Sequence, residues 1–508
     1  MKTNIIKFNE IASLGKTLRK EGKKIVLCHG VFDILHLGHI NYFEESKSQG
    51  DVLIVSLTDE KFIKKYPRKP IFSNTERMQV IASLKCVDYV VCNSNTTAIN
   101  IIKILRPSIY SKGPDYKNTK LDKTGEIINE INAVKKVGGK FYTTSGKIFS
   151  SSSIANLKFS NYENDIIKVI EKVKKKYVDF KKIENEIDKI KNKKILIIGE
   201  AIIDEYNYCE AIGKSGKEAI LNYKSLSKET FIGGALAIAN HISDFCKSVT
   251  ILCGLGRNSS FEKLIKKNLK HNVILKSIKF DNYKTILKRR LIENIDKKKI
   301  LGLYDIDENF LDKKQCNKVF RELKNLMPKN DLLMVADYNH GLINDKIANY
   351  ISIKAKNKYN LMSQLNSGSF KQKGLSKYKN PNWVIINQKE LFYEMRSDTN
   401  REQLMKKFCE EFNCLNLIIT RGKNGMNYYD KRNSTYSHID AFTTQSIDKI
   451  GSGDAVYAIT SLLGHFKIDK DLILLIGTIA GYFMVNIIAN EKFLDKRIIL
   501  NQLSNLIK

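Results

Sequence analysis

No Cys-x-x-Cys pair occurs in the chain, and its nine cysteines follow no regular spacing. Zinc-ribbon sites and disulfide scaffolds depend on such spacing, so both are excluded, and the thiols fit a reducing compartment. Arginine is scarce: 13 of the 86 basic residues are Arg and 73 are Lys. A dedicated nucleic-acid binder favours the Arg fork on phosphate and guanine. No basic stripe with interleaved aromatics appears either. The net charge of +32 therefore reads as a lysine-rich composition, beside abundant Ile and Asn. It suits anionic small substrates and does not call for nucleic acid. Long apolar runs are few. One stretch, Leu472 to Ala489, could pass for a membrane span, but Gly477, Thr478, Gly481 and Asn486 interrupt it and Asp471 precedes it. A buried core helix is expected there. The opening MKTNIIKFNEIASLGK lacks a long apolar core and a cleavage site. It is not read as a signal peptide, and the expected location is the cytoplasm, with no membrane partner.

Proline too is rare. Four of the six fall at Pro67, Pro70, Pro107 and Pro114, and none follows until Pro328. What is present is an ordinary globular balance, 43% hydrophobic and 28% charged over 508 residues, enough for two or three domains. Between residues 24 and 160 short apolar runs alternate with helical patterns. Ile25–Cys28, Val52–Leu57, Val87–Val91 and Ser108–Lys112 read as buried strands, which predicts an α/β fold with a parallel sheet. Ser73-Asn74-Thr75-Glu76 has the spacing of a capping box at a helix start. From about 161 to 192, Ile166, Ile167, Val169, Ile170, Val173 and Tyr177 recur at helical spacing among Lys and Glu without Gly or Pro. This predicts an amphipathic connecting helix. A second, longer α/β pattern begins at Lys193–Asp204. The expected organisation is a domain over 1–160, the connecting helix over 161–192 and a second domain over 193–508.

Three of the eight histidines, His29, His36 and His39, lie within the segment CHGVFDILHLGH that follows the first strand. Ligands of parallel sheets bind beyond the carboxyl ends of strands. Gly30 and Gly38 let backbone approach a phosphate closely. His39 opens a helix, whose N–H groups and dipole favour an anion, and His36, three residues earlier, can face the same phosphate.

This segment resembles the HxGH signature of the nucleotidyltransferase superfamily, in its cytidylyltransferase-like branch. The resemblance spans residues 24–160. Lys65 and Lys69 lie in the basic loop KKYPRKP, and Arg77 follows in the next helix. SKGPDY (Ser111–Tyr116) resembles a strand end of bacterial heptose-1-phosphate adenylyltransferases. FSSSSIAN (Phe149–Asn156) resembles the Ser/Thr-rich helix start beside the nucleotide. The resemblance implies a Rossmann-like domain in which a sugar phosphate oxygen attacks the α-phosphorus of a nucleoside triphosphate and pyrophosphate leaves. Positioning and charge stabilisation dominate such chemistry. His36 and His39 would be catalytic donors to the phosphates, and Lys65 and Arg77 would hold the pyrophosphate with Mg²⁺. Gly30, Phe32, Asp33, Lys112, Asp115, Ser151, Ser152 and Ser153 would complete the nucleotide and phosphate site. The triphosphate is ATP by the nearest resemblance, with CTP left open.

Near the other end stands DKIGSGDAVYA, Asp448 to Ala458. Two glycines around Ser452 let backbone N–H groups converge at a helix start, a pocket for phosphate charge. Asp454 follows directly, placed to accept a proton from a hydroxyl. The region 194–508 resembles the ribokinase-like, PfkB-type carbohydrate kinases throughout. GEAIIDEY puts Asp204 at the sugar hydroxyls, and IGGALAIAN supplies Gly233-Gly234. VADYNHGL resembles the D-Y-x-K-G element and adds Asp337 to the sugar side. INQKE supplies Asn387 and Glu390, which resemble the element around Mg²⁺ and phosphate, with Glu390 as the metal residue. TRGKNG supplies Thr420, Gly422 and Gly425 for the nucleotide, and Gly451, Ser452 and Gly453 form the phosphate turn. Asp454 is the implied general base. Three departures fall on the sugar side: Ala237 replaces an Asn, His340 replaces the Lys of D-Y-x-K-G, and Ser363-Gln364-Leu365-Asn366 replaces a D-P-K-G-like segment.

The pairing resembles the bifunctional heptose-phosphate kinase/heptose-1-phosphate adenylyltransferases, with the order of the two domains exchanged. It implies a nucleotide-activated sugar as product, for surface polysaccharide, and a homodimer of the ribokinase type. Two alternatives stay open: a CTP-dependent enzyme acting on another polyol or sugar phosphate, and a kinase half that only binds or regulates.

Overall fold

The computed structural model describes residues 4–33, 35–63, 70, 72–116, 126–145, 164–257, 261–281, 283–306, 311–364, 374–397, 400–442 and 446–507. The chain divides into two compact units, Met1–Asn161 and Tyr162–Ile507.

In the first unit the apolar runs become β1 (Ile5–Ile6), β2 (Ile25–Gly30), β3 (Val52–Thr58), β4 (Tyr89–Asn93), β5 (Ile109–Lys112) and β6 (Lys140–Thr143). They form one sheet in the order β1-β4-β3-β2-β5-β6, with every pairing parallel. All seven residues of β3 are buried, as a sheet covered on both faces requires. Leu37–Lys47 and Asn74–Ala82 cover one face around Phe43 and Ile81; Ile11–Lys20, Ile99–Leu105 and Ile127–Lys136 cover the other around Ile11, Ile102 and Val134. The capping box forms: Ser73 Oγ accepts from the Glu76 amide, and the Glu76 carboxylate accepts from the Ser73 amide at 2.8 Å. Winding reverses between β2 and β5, which leaves a crevice beyond their carboxyl ends.

The second unit is built on β7 (Lys194–Gly199), β8 (Ala201–Lys214), β9 (Leu221–Gly234), β10 (Ser248–Gly256), β11 (Val273–Phe280), β12 (Ile286–Glu293), β13 (Lys299–Asp305), β14 (Leu332–Asp337), β15 (Tyr359–Ser363), β16 (Trp383–Asn387), β17 (Asn416–Thr420), β18 (Met426–Asp430) and β19 (Thr435–Ile439). Nine of these make the main sheet, β11-β10-β7-β14-β15-β16-β17-β18-β19, parallel except for the two hairpins at the β17–β19 edge. The other four form a smaller sheet, β13-β12-β8-β9. Here the switch lies between β7 and β14. The helices Ser452–His465 and Lys470–Val485 pack into the core, with Leu472, Leu475, Ile476 and Ala480 buried. No helix among the described residues is long and apolar enough to cross a membrane. The stretch read as one connecting helix is two, Asn164–Lys176 and Phe180–Asp188. Ile166, Val173, Ile183 and Ile187 are sunk in the core of the second unit, because an amphipathic face gains stability by burial against a sheet domain and not by spanning solvent.

Candidate active sites

In the first unit, β2 ends on His29 and Gly30, and the chain turns sharply at Phe32, whose φ of 49° lies in the left-handed region. That turn folds the Phe32 ring back over Gly30, where a Cβ would meet the ring at 2.8 Å. Phe32 is buried and packs edge-on against His39, with ring centroids 5.4 Å apart. It therefore supports the histidines from beneath and is not itself exposed to a nucleotide. His36 is the N-cap of the helix Leu37–Lys47, and its carbonyl accepts from the His39 amide at 2.8 Å. The two imidazoles stack with centroids 4.0 Å apart. Burial lowers the pKa of His36, and a neutral imidazole offers one N–H as a donor.

Around this pair, several groups are spent on the scaffold. Arg77 is buried: it donates from Nη1 to the carbonyls of Val31 (2.6 Å) and Thr58 (3.1 Å) and from Nη2 to Asn74 Oδ1 (2.6 Å). It clamps the loop after β2 to the end of β3 rather than standing open toward a leaving group. Asp33 accepts from the Phe72 amide at 3.1 Å and helps hold the same wall. Lys112, at the end of β5, donates to the His29 carbonyl at 3.3 Å and lies 3.4 Å from Glu130. Burial, then Lys112, holds His29 at about 4, a neutral ring whose Nδ1 lies 3.1 Å from Ser56 Oγ. Lys65, Ser151, Ser152, Ser153 and the side chain of Asp115 lie outside the described residues.

In the second unit a cleft of about 790 Å³ runs along the carboxyl ends of the main sheet. Asp204, Gly234, Asn387, Glu390, Thr420, Gly422, Gly425 and the whole run Gly451–Asp454 line it, although they come from distant parts of the chain. Gly451 has φ 80° and leads into the helix Ser452–His465; a Cβ there would meet Asn490 Oδ1 at 2.4 Å. A Cβ at Gly453 would meet nothing within 4 Å, so the turn is open on that side. The first amides of a helix have no intrahelical acceptor, and this opening suits an anion. Ser452 Oγ donates to the Lys449 carbonyl at 2.9 Å and shapes the turn.

Asp454 is buried, and burial pushes its carboxyl up to about 6. Tyr338 and Gln364 both donate to its Oδ1, at 2.9 Å and 3.3 Å. Asp204 lies beside Lys288 in the β8–β12 ladder and is paired with Arg290. Asn387 and Glu390 cap each other at the start of Gln388–Met395, with the Asn387 amide donating to Glu390 Oε2 at 2.8 Å. Asp337 is a different case. It is fully buried, and Lys377 Nζ (2.6 Å), Tyr378 Oη (2.7 Å) and the Asn339 amide (2.9 Å) consume its carboxylate. Breaking such a buried pair costs about 3–5 kcal/mol, so Asp337 holds the end of β14 and does not face a sugar. Gly233 packs against Asp204 Oδ2 and does not line the cleft, and neither does Ala237, buried in the helix Ala235–Ile242.

A cytidylyltransferase-like family model matches residues 27–157, and the pfkB family carbohydrate kinase model matches residues 192–460, more than half of the chain. The chain belongs to the pfkB family of carbohydrate kinases. In this pfkB-family chain a cytidylyltransferase-like domain comes first. The bifunctional protein HldE of Aliarcobacter butzleri is 40% identical over 157 residues, 30% of this chain and 33% of that protein. HldE of Helicobacter pylori strain J99 is 39% identical over 140 residues, 27% of this chain and 30% of its own. The chain thus spans about a third of the length of these relatives. Phosphofructokinase-2 from Escherichia coli in complex with substrates and products aligns with a TM-score of 0.50 at 12% identity, over 62% of this chain and 100% of that one. The same enzyme in complex with potassium aligns at 0.50 and 14%, over 61% and 99%. These two likenesses speak to fold alone.

Several residues of this pfkB-family cleft escaped the reading of the sequence. Lys288, Arg290 and Tyr304 reach it from the smaller sheet, and Tyr338 from the turn after β14. Lys288 and Arg290 carried no signal in a chain with 73 Lys, because only the parallel β8–β12 pairing sets them beside Asp204. Tyr338 lies within a motif already noted. Gln364 was noted only as a departure from pattern, yet it contacts Asp454.

Proposed function

We propose that the protein is a bifunctional enzyme that makes a nucleotide-activated sugar. Its second unit phosphorylates a sugar or sugar phosphate with ATP, and its first unit transfers a nucleotidyl group to a sugar 1-phosphate. The observation that carries this reading is the convergence of the Gly451–Gly453 turn, Asp454 and Asp204 in one cleft. In the kinase step the acceptor oxygen bonds the γ-phosphorus, the bond to the ADP oxygen breaks, and the acceptor proton passes to Asp454. The turn amides take the phosphoryl charge, and Thr420, Gly422 and Gly425 flank the nucleotide. Glu390 is a hard oxygen donor held in place by its cap, which fits Mg²⁺; when bound, the ion neutralises triphosphate charge. Lys288 and Arg290, buried or nearly so beside Asp204, favour an acceptor that already carries a phosphate.

In the transferase step the sugar phosphate oxygen bonds the α-phosphorus and pyrophosphate leaves. His36 and His39 donate to the phosphates at the helix start. Heptose is the sugar class that the motifs favour, with ATP as the triphosphate and CTP as the alternative. The cytoplasm supplies both nucleotides, and neither nucleic acid nor membrane is required. A homodimer through the smaller sheet extends the reading, since Leu221, Leu226, Leu301 and Leu303 are 44–60% exposed there.

Incubation of the pure protein with a panel of sugars and sugar phosphates, with ATP or CTP, and mass spectrometry of the products tests both activities. A chain that phosphorylates nothing at saturating Mg·ATP has a binding or regulatory second unit. Two further outcomes are expected. Kinase turnover needs ionised Asp454, so it should fall as pH drops through about 6, by about tenfold per unit below that point. A flat kinase profile between pH 5 and 8 removes Asp454 as the base. The units should also work separately: a fragment ending near Ser160 should stay folded and keep its transferase activity. An inactive fragment beside an active full chain would show mutual dependence.

A further inference from the structure

We propose that Glu200 and Tyr338 are a positioning pair that aims the Asp454 carboxylate at the acceptor. The proposal rests on the kinase reading of the cleft. Glu200 follows β7 directly, at the point where the main sheet changes winding direction, and it is fully buried. Its Oε2 accepts from the Tyr338 amide at 2.9 Å, and its Oε1 faces the amides of His340 at 3.3 Å and Leu342 at 3.4 Å. Its own carbonyl accepts from the Ala235 amide at 3.0 Å, the first helical residue after Gly233-Gly234. One residue therefore ties together the end of β7, the Gly-Gly helix start and the turn after β14.

That turn needs a clamp. Asn339 and Gly341 both take positive φ, 55° and 90°, so its amides point inward and find one carboxylate as a shared acceptor. The clamp fixes where Tyr338 emerges. Its hydroxyl then donates to Asp454 Oδ1 at 2.9 Å, and Gln364 Nε2 takes the same oxygen at 3.3 Å. With both donors on Oδ1, Oδ2 is the oxygen that receives the acceptor proton, and the carboxylate cannot rotate away from it. The charged and titratable groups facing Asp454 are Asp204 from β8, Lys288 from β12 and Tyr338. Those facing Glu200 are Asp337 and its partner Lys377, with Tyr338, Tyr378 and Lys288. Burial first, then Asp337, raises the Glu200 pKa.

The test reads the geometry without relying on turnover. The full chain is labelled with carboxyl-¹³C aspartate, and the Asp454 resonance is assigned by its loss in Asp454→Asn. Tyr338→Phe keeps the ring and deletes one donor to the ionised carboxylate. It should raise the Asp454 titration midpoint by about one pH unit and lower the melting temperature by no more than a few degrees. Glu200→Gln should move the midpoint in the same direction, because an amide cannot hold all three backbone donors. Once an acceptor is known, Tyr338→Phe should lower kcat at least tenfold and leave KM for Mg·ATP unchanged. An unmoved midpoint in a well-folded Tyr338→Phe overturns the proposal, whatever Glu200→Gln does. If the midpoint moves while Asp454→Asn still phosphorylates, the pairing stands and the reading of Asp454 as the general base is what fails.

Discussion

Replacing His36 or His39 with Ala is expected to slow pyrophosphate release by roughly a hundredfold or more, the scale of losing one preorganised donor to developing charge. The two rings stack 4.0 Å apart at the start of Leu37–Lys47, so a phosphate at that helix end meets both. Burial lowers the pKa of His36, which favours the neutral ring. Phe32 supports His39 from beneath, which keeps the ring in place when its neighbour is removed. The check is a coupled pyrophosphate assay with a sugar 1-phosphate and ATP or CTP. Unchanged release in both variants, with the fold intact, would sink the assignment of the first unit.

Asp454→Asn should reduce kinase turnover by roughly a thousandfold, since a positioned general base contributes about 10²–10⁴. The substitution preserves size, and Tyr338 can still donate to the amide oxygen. The Gly451–Gly453 turn and the loop around Gly422 and Gly425 are untouched, so ATP affinity by calorimetry should stay within about twofold of wild type. The transferase, in a separate unit, should be unaffected. Loss of ATP binding together with turnover would instead mark Asp454 as a structural support of the turn.

Much of both units is legible in the sequence. Alternating apolar runs and helical patterns announced parallel sheets, and both form, because burial on two faces selects continuous apolar strands. The capping box at Ser73, the left-handed turn at Gly451 and the helix after His36 are local features, written in neighbouring residues. The boundaries of β4 and β5 differ from the expected strands by one or two residues, as frayed strand ends do.

What the tertiary structure alone decided is which polar groups remain available. By residue type and motif, Asp337 and Asp204 looked alike, both carboxylates near a strand end. Both are paired with a cation, but Asp337 is closed off beneath Lys377 and Tyr378, about forty residues further along, whereas Asp204 and its partner Arg290 line the cleft beside Lys288. Arg77 looked like a phosphate ligand and turned out to clamp the carbonyls of Val31 and Thr58. Glu200 and Tyr338 stand inside recognisable motifs, but only the pairing of β7 with β14 lets Glu200 hold the Tyr338 amide and Tyr338 reach Asp454. Sequence determines backbone conformation through interactions a few residues apart, so periodicity, caps and glycine turns can be read from it. The use of a buried charge depends on partners that only chain crossings bring within 3 Å, and a buried charge must take whichever partner is there.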